Sequence, residues 1–178
     1  MSRCMKRDMF SAVHLLANRL VSIIQRKTMS DTWLINGLGL YITGLFICKL
    51  LGNNEYRFRL KRDVQRAVEW DNGLMPPIFQ PQQLDPLDSA TIPFVNLRVP
   101  LVLHILDRHL GKSGTSLGLS HVLPKTFLSA ISGGMPNSGL PTHSFLRTCR
   151  KVSGVDPRSF AEQWIYGSSC PAFGFSKL

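Results

Sequence analysis

Seventeen consecutive residues, Thr32 to Cys48, carry no charge and are bracketed by Asp31 and Lys49. A stretch of that length is either at the lower limit for crossing the hydrocarbon layer or a helix that a protein core surrounds. Asn36, Gly37, Gly39, Thr43 and Gly44 dilute its apolar character, and basic residues flank both ends without the asymmetry that orients a membrane span. The sequence therefore points to a buried helix, with a small membrane-associated protein as a rival reading. A helix that is apolar all round needs neighbours on every side. The chain can supply them: 44% of its 178 residues are hydrophobic, enough for the core of one domain. Only 18% are charged, which excludes a disordered tail or a solvated coiled coil.

Helical periodicity surrounds this segment. Phe10, Val13, Ala17, Leu20, Val21 and Ile24 recur at three- and four-residue spacing and predict an amphipathic helix over 8–25. Asp31 is placed to cap the apolar helix, Gly52 to close it, and Asn53-Asn54 to cap a third over 54–71. On that third helix Tyr56, Leu60, Val64 and Ala67 share one side, and Arg59, Arg62 and Arg66 share the other. Five prolines interrupt regular structure between Asn72 and Pro93, which predicts a surface loop over about 72–95. Pro100 and Pro124 read as first-turn residues of helices over Leu101–Leu110 and Lys125–Ser132. Thr142 reads as the cap of a helix ending at Gly154, and Asp156-Pro157 as the start of another through Phe160 and Trp164. The fold class is all-α: one helical domain over 1–165, with 166–178 turning into the first strand of a following β-domain.

The charge is lopsided. Residues 1–62 hold 11 basic and 3 acidic side chains, and residues 63–178 hold 10 and 8, within a total of +10. Such a balance suits partners that carry phosphate or acidic patches. The Arg59, Arg62, Arg66 stripe is either a solvated face or a phosphate- or partner-binding ridge. The basic N-terminus also has the composition of a mitochondrial presequence, but its helix is periodic like any core-facing one. Cys4, Cys48, Cys149 and Cys170 are scattered without a C-x-x-C pair, so a reducing compartment is expected and no zinc ribbon.

Two chemical motifs fail on spacing. Gly111-Lys112-Ser113 resembles the end of a phosphate loop, but Leu106 stands where that loop needs glycine. Gly114-Thr115-Ser116-Leu117-Gly118 matches G-x-S-x-G without a strand before it, and no histidine follows the acids Asp156 and Glu162. His14, His104, His109, His121 and His143 contain no i,i+4 pair that would begin a metal site.

The segment Trp33-Leu34-Ile35-Asn36-Gly37-Leu38-Gly39-Leu40-Tyr41 resembles the W-L-N-E-G-F-A stretch of the gluzincin zinc aminopeptidases, in which the Glu is the third zinc ligand. In that family eighteen residues separate H-E-x-x-H from this Glu, and the same count from Asn36 lands on Val13-His14-Leu15-Leu16-Ala17. The resemblance therefore puts Val13 and Ala17 at the two zinc-histidine positions, His14 at the general base and Asn36 at the third ligand. A tyrosine that stabilises the oxyanion in the family corresponds to Asn96. A hydrolytic zinc site needs three protein ligands and a carboxylate base; none of these residues supplies them.

Arg98 to Leu103 resembles the K-G-P-L-V stretch of the same family, and Phe160 to Gly167 its F-x-x-W-x-x-x-G end. The runs Leu50 to Leu60 and Gln163 to Pro171 resemble a catalytically silent branch of this family, found among the TATA-box-binding-protein-associated factors of general transcription factor IID. The resemblance implies the helical subdomain of an aminopeptidase-like domain that holds no metal or cofactor and takes no small-molecule substrate. It implies a nuclear scaffold whose partners are other subunits of that factor, the TATA-box-binding protein and core-promoter DNA. The rival enzyme reading is a zinc peptidase with an unorthodox site built on His14 and another histidine.

Overall fold

The computed structural model describes residues 3–24, 27–81, 91–111, 118–132 and 139–168, without the side chains of residues 3–10 and Leu20. Among them the chain forms α1 (Arg3–Val21), a single 3-10 turn (Met29–Asp31), α2 (Thr32–Leu51), α3 (Asn53–Trp70), α4 (Ile92–Gly111), α5 (Leu119–Ile131), α6 (Thr142–Ser153) and α7 (Arg158–Trp164). No extended strand occurs in the described residues, in keeping with an all-α fold. The expected strand after Tyr166 falls mostly on 169–178, outside the described residues, as do positions 112–117 of the two glycine motifs.

α2 is the axis of the molecule, flanked by α1, α3 and α4. Its composition and length would also suit a membrane, with a mean hydropathy of 1.7 in the most apolar 18-residue window of Met29–Leu51. Here Trp33, Leu34, Leu38, Tyr41, Ile42 and Ile47 are buried around its circumference. Leu34 and Leu38 meet Val99, Leu103 and Leu106 of α4 in one core that runs on into Leu119, Val122, Phe145 and Phe160. Each such side chain contributes roughly 2 kcal/mol by leaving water. The glycines of α2 make close approach possible. A Cβ on Gly37 would overlap the Val99 side chain, and one on Gly39 the Asn18 amide of α1. α4 in turn packs on α5 and α6, and His109 stacks on Phe160 of α7 at 5.6 Å.

Several sequence expectations are corrected. Pro100 lies in the interior of α4 and Pro124 in that of α5. Phe94, Val95 and Val99 before the first proline, and Leu119, Val122 and Leu123 before the second, are buried helical faces whose packing outweighs the lost proline N–H. Asp31 makes no capping bond to α2. Its Oδ1 instead accepts the Thr142 backbone N–H and the Thr142 hydroxyl, both at 2.8 Å, so it caps α6. Pro141, not Thr142, occupies the cap position of that helix. α3 starts at Asn53 from Gly52, without a side-chain cap.

The proline-rich segment is tied down over its first half. Ile78 is buried, the Phe79 N–H donates to the Ile165 carbonyl at 3.1 Å, and the Ser30 hydroxyl donates to the Gln80 carbonyl. Helical structure resumes at Ile92, earlier than the expected end of the loop.

Candidate functional site

The positions of the degenerate zinc frame do not converge. Val13 and Ala17 point into the α1–α2 contact at 8% and 1% exposure, whereas Asn36 is exposed on α2. The helices run antiparallel, with His14 level with Thr43 and Asn18 level with Gly39. That register places Asn36 about a turn beyond Ala17. Asn96 lies on α4, half-buried.

His14 Nδ1 lies 3.3 Å from the Thr43 hydroxyl, and its Nε2 lies 3.2 Å from the Asn18 amide nitrogen. Thr43 donates its own proton to the Gly39 carbonyl at 2.7 Å, which assigns the histidine proton to Nδ1 and leaves Nε2 as acceptor. Thr43 is fully buried, so this histidine–hydroxyl pair presents no nucleophile to a substrate. Among the described residues, no three His, Cys, Asp or Glu side chains gather closely enough to hold a metal ion.

The polar groups that do converge lie between α2, α3 and α4. The Tyr56 hydroxyl of α3 sits 3.0 Å from Nδ1 of His104 on α4, and their rings meet edge to face. One turn further along α4, Asp107 bonds the Tyr41 hydroxyl of α2, and its Oδ1 accepts the Leu119 N–H at 2.8 Å. Burial, then the nearby Arg108, lowers the His104 pKa. Burial first and Asp107 next keep the Tyr41 phenol protonated. These groups support a cleft of about 150 Å³ lined by Tyr41, Tyr56, Arg59, Asp63, Asn96 and Pro100. Pro100 has no N–H to offer the Asn96 carbonyl one turn earlier. The cleft is an apolar slot with a polar rim.

The arginine stripe divides. Arg59 is turned into the rim of the cleft and paired with Glu55 at 2.9 Å, with both side chains about a quarter exposed. Arg62 and Arg66 face solvent. Arg62 reaches Asp63 only at 3.7 Å, and the Arg66 guanidinium lies 5.9 Å from the Trp70 ring centroid. Val64, expected on the buried side, is 45% exposed, because only Ala67 of α3 is fully buried.

No family model matches the chain. Over 147 residues, 83% of its length, it is 52% identical to a Schizosaccharomyces pombe protein named transcription initiation factor TFIID subunit 2. The chain is a TFIID subunit 2 homologue. The proteins of that name from Saccharomyces cerevisiae and Gallus gallus are 38% and 37% identical over 80% and 84% of the chain. The chain spans 12%, 10% and 15% of the lengths of these three relatives.

The string Leu50 to Leu60, one of those that carry the family resemblance, spans the α2–α3 junction. The sequence patterns above do not single out the polar cluster of Tyr41, Tyr56, His104 and Asp107. His104 and Asp107 are three apart on α4 and so share a face, a signal open to inspection. Their tyrosine partners come from α2 and α3 and left no local trace.

Proposed function

We propose that this chain is a non-catalytic scaffold element of a TFIID subunit, at work in the nucleus during RNA polymerase II transcription initiation. The observation that carries the reading is the 52% identity to a protein named transcription initiation factor TFIID subunit 2. The frame around Val13, His14, Ala17, Asn36 and Asn96 is the remnant of an aminopeptidase site that has lost ligands and base. Its helices persist as a packing device. The chain holds other TFIID subunits and the TATA-box-binding protein through its helix faces, and Arg62 and Arg66 approach core-promoter DNA by its phosphates. Such contacts give affinity without base readout.

Fluorescence anisotropy on a labelled core-promoter duplex across a salt series tests the DNA contact. Replacing Arg62 and Arg66 by Ala should make the log–log salt slope shallower by about two, while Arg59→Ala leaves it nearly unchanged, since each phosphate contact contributes about 0.9. Equal slopes, or no binding at all, would confine the ridge to protein partners. Absence of the chain from affinity-purified TFIID would sink the assembly reading as a whole.

A further inference from the structure

α6 and α7 enclose a second groove, of about 280 Å³, away from the cleft and the α3 ridge. One wall is basic. His143, Arg147 and Arg150 recur at i, i+4 and i+7 and therefore share a face of α6, and all three line the groove. The floor is apolar, made by Leu146, Pro157, Ala161 and the ring of Tyr166, whose position is fixed edge to face against Phe79 at 5.4 Å. The facing wall holds Asp156 and Glu162.

The ion pairing is uneven. Asp156 receives the Arg158 guanidinium at 2.6 and 2.8 Å and the Arg158 N–H at 3.1 Å. Arg158 thereby holds the Asp156 carboxyl below the usual range. Arg150 reaches the same carboxylate only at 3.9 Å, beyond hydrogen-bonding distance, and its side chain is 59% exposed. Among the described residues Arg147 is exposed and bonds no carboxylate. Two guanidinium forks therefore stand over an apolar floor with their bidentate capacity unspent.

From this geometry we infer that the α6–α7 groove docks an acidic segment of a partner protein. Carboxylates of that segment meet Arg147 and Arg150, and an apolar side chain between them rests on Leu146, Pro157 and Tyr166. Charge complementarity selects the occupant. This chain has 21 Lys and Arg against 11 Asp and Glu, so a second copy is a poor complement. A nucleic acid backbone would meet the basic wall but leave the apolar floor of Leu146, Pro157, Ala161 and Tyr166 unfilled. An acidic peptide with interspersed apolar residues satisfies floor and basic wall together, with Asp156 already neutralised by Arg158.

The test uses the full 178-residue chain and a fluorescein-labelled peptide of repeated Asp-Phe-Glu-Leu units, followed by anisotropy. Wild type binds. The double reversal Arg147→Glu/Arg150→Glu weakens binding at least about tenfold, a change of about 1.4 kcal/mol. It keeps the wild-type circular dichroism and thermal midpoint, and it gains binding to a Lys-Phe-Arg-Leu peptide. Arg62→Ala/Arg66→Ala leaves the Kd unchanged, which separates this groove from the ridge on α3. Three results would overturn the inference: no binding by wild type, equal binding by the double reversal, or equal binding of an Asn-Phe-Gln-Leu peptide. A labelled duplex whose binding falls more than the peptide's on the double reversal would assign the groove to nucleic acid instead.

Discussion

Asp31 is 2% exposed, and its carboxylate is surrounded by donors. Oδ1 takes two bonds from Thr142, Oδ2 takes the Thr28 hydroxyl at 2.7 Å, and Trp33 Nε1 bonds the same Thr142 hydroxyl at 3.1 Å. A buried charge is tolerable only with such satisfaction. The sequence had marked Asp31 as a cap, which is right in chemistry and wrong in target. The helix it caps lies 111 residues away, beyond the reach of any local window. Removing the carboxylate strands the Thr142 N–H and hydroxyl in the core, at roughly 1–3 kcal/mol per orphaned group. Asp31→Ala should therefore lower stability by about 3 kcal/mol. Asp31→Asn retains an acceptor for Thr142 and can face the Thr28 hydroxyl with its amide, so it should cost about 1 kcal/mol. Urea midpoints at constant slope read both values. An alanine variant as stable as wild type would show that the network adds nothing net.

At the scale of the element, the helices were legible where a long uncharged run marked one, as in α2, or where periodicity was uninterrupted, as in α3. They were not legible across Pro100 and Pro124, because proline is locally a start signal and only burial of the preceding turns overrides it. In the sequence the glycines of α2 dilute its hydrophobicity; in the structure they have a different task. Gly37 is where α4 comes closest: a Cβ there would overlap Val99 Cγ1 and lie 3.3 Å from Val99 Cβ and Leu103 Cδ1. Val99 is β-branched and cannot swing aside. Gly37→Ala gains roughly 1 kcal/mol of helix propensity and loses about 1–3 kcal/mol to overpacking, for a net loss of about 1 kcal/mol. Thermal unfolding should show a lowered midpoint. A raised midpoint would mean that α2 and α4 separate without penalty.

At the scale of the whole molecule, the uncharged run from Thr32 to Cys48 marked α2 as the helix to be surrounded, and the helical patterns on either side of it made the fold all-α. The candidate site was legible only in part. The arginines of α3 were visible, but which of them faces solvent depends on how α3 lies across α2 and α4. The Tyr56–His104 pair, 48 residues apart, arises only when those helices assemble. That pair makes global stability depend on pH. An unfolded histidine protonates near 6.5. His104 in the fold has a lowered pKa, because burial and Arg108 oppose its charge, with Asp107 acting the other way. Between those two values the unfolded chain binds a proton that the native chain does not, so stability is full above about pH 6.5 and falls as pH drops through the native value. His104→Gln keeps a hydrogen-bonding partner for the Tyr56 hydroxyl and removes the titration. Its unfolding free energy should change less than that of wild type between about pH 7.5 and 5.5, although both lose stability as other groups titrate. Parallel curves for the two proteins over that window would rule out His104 as the source.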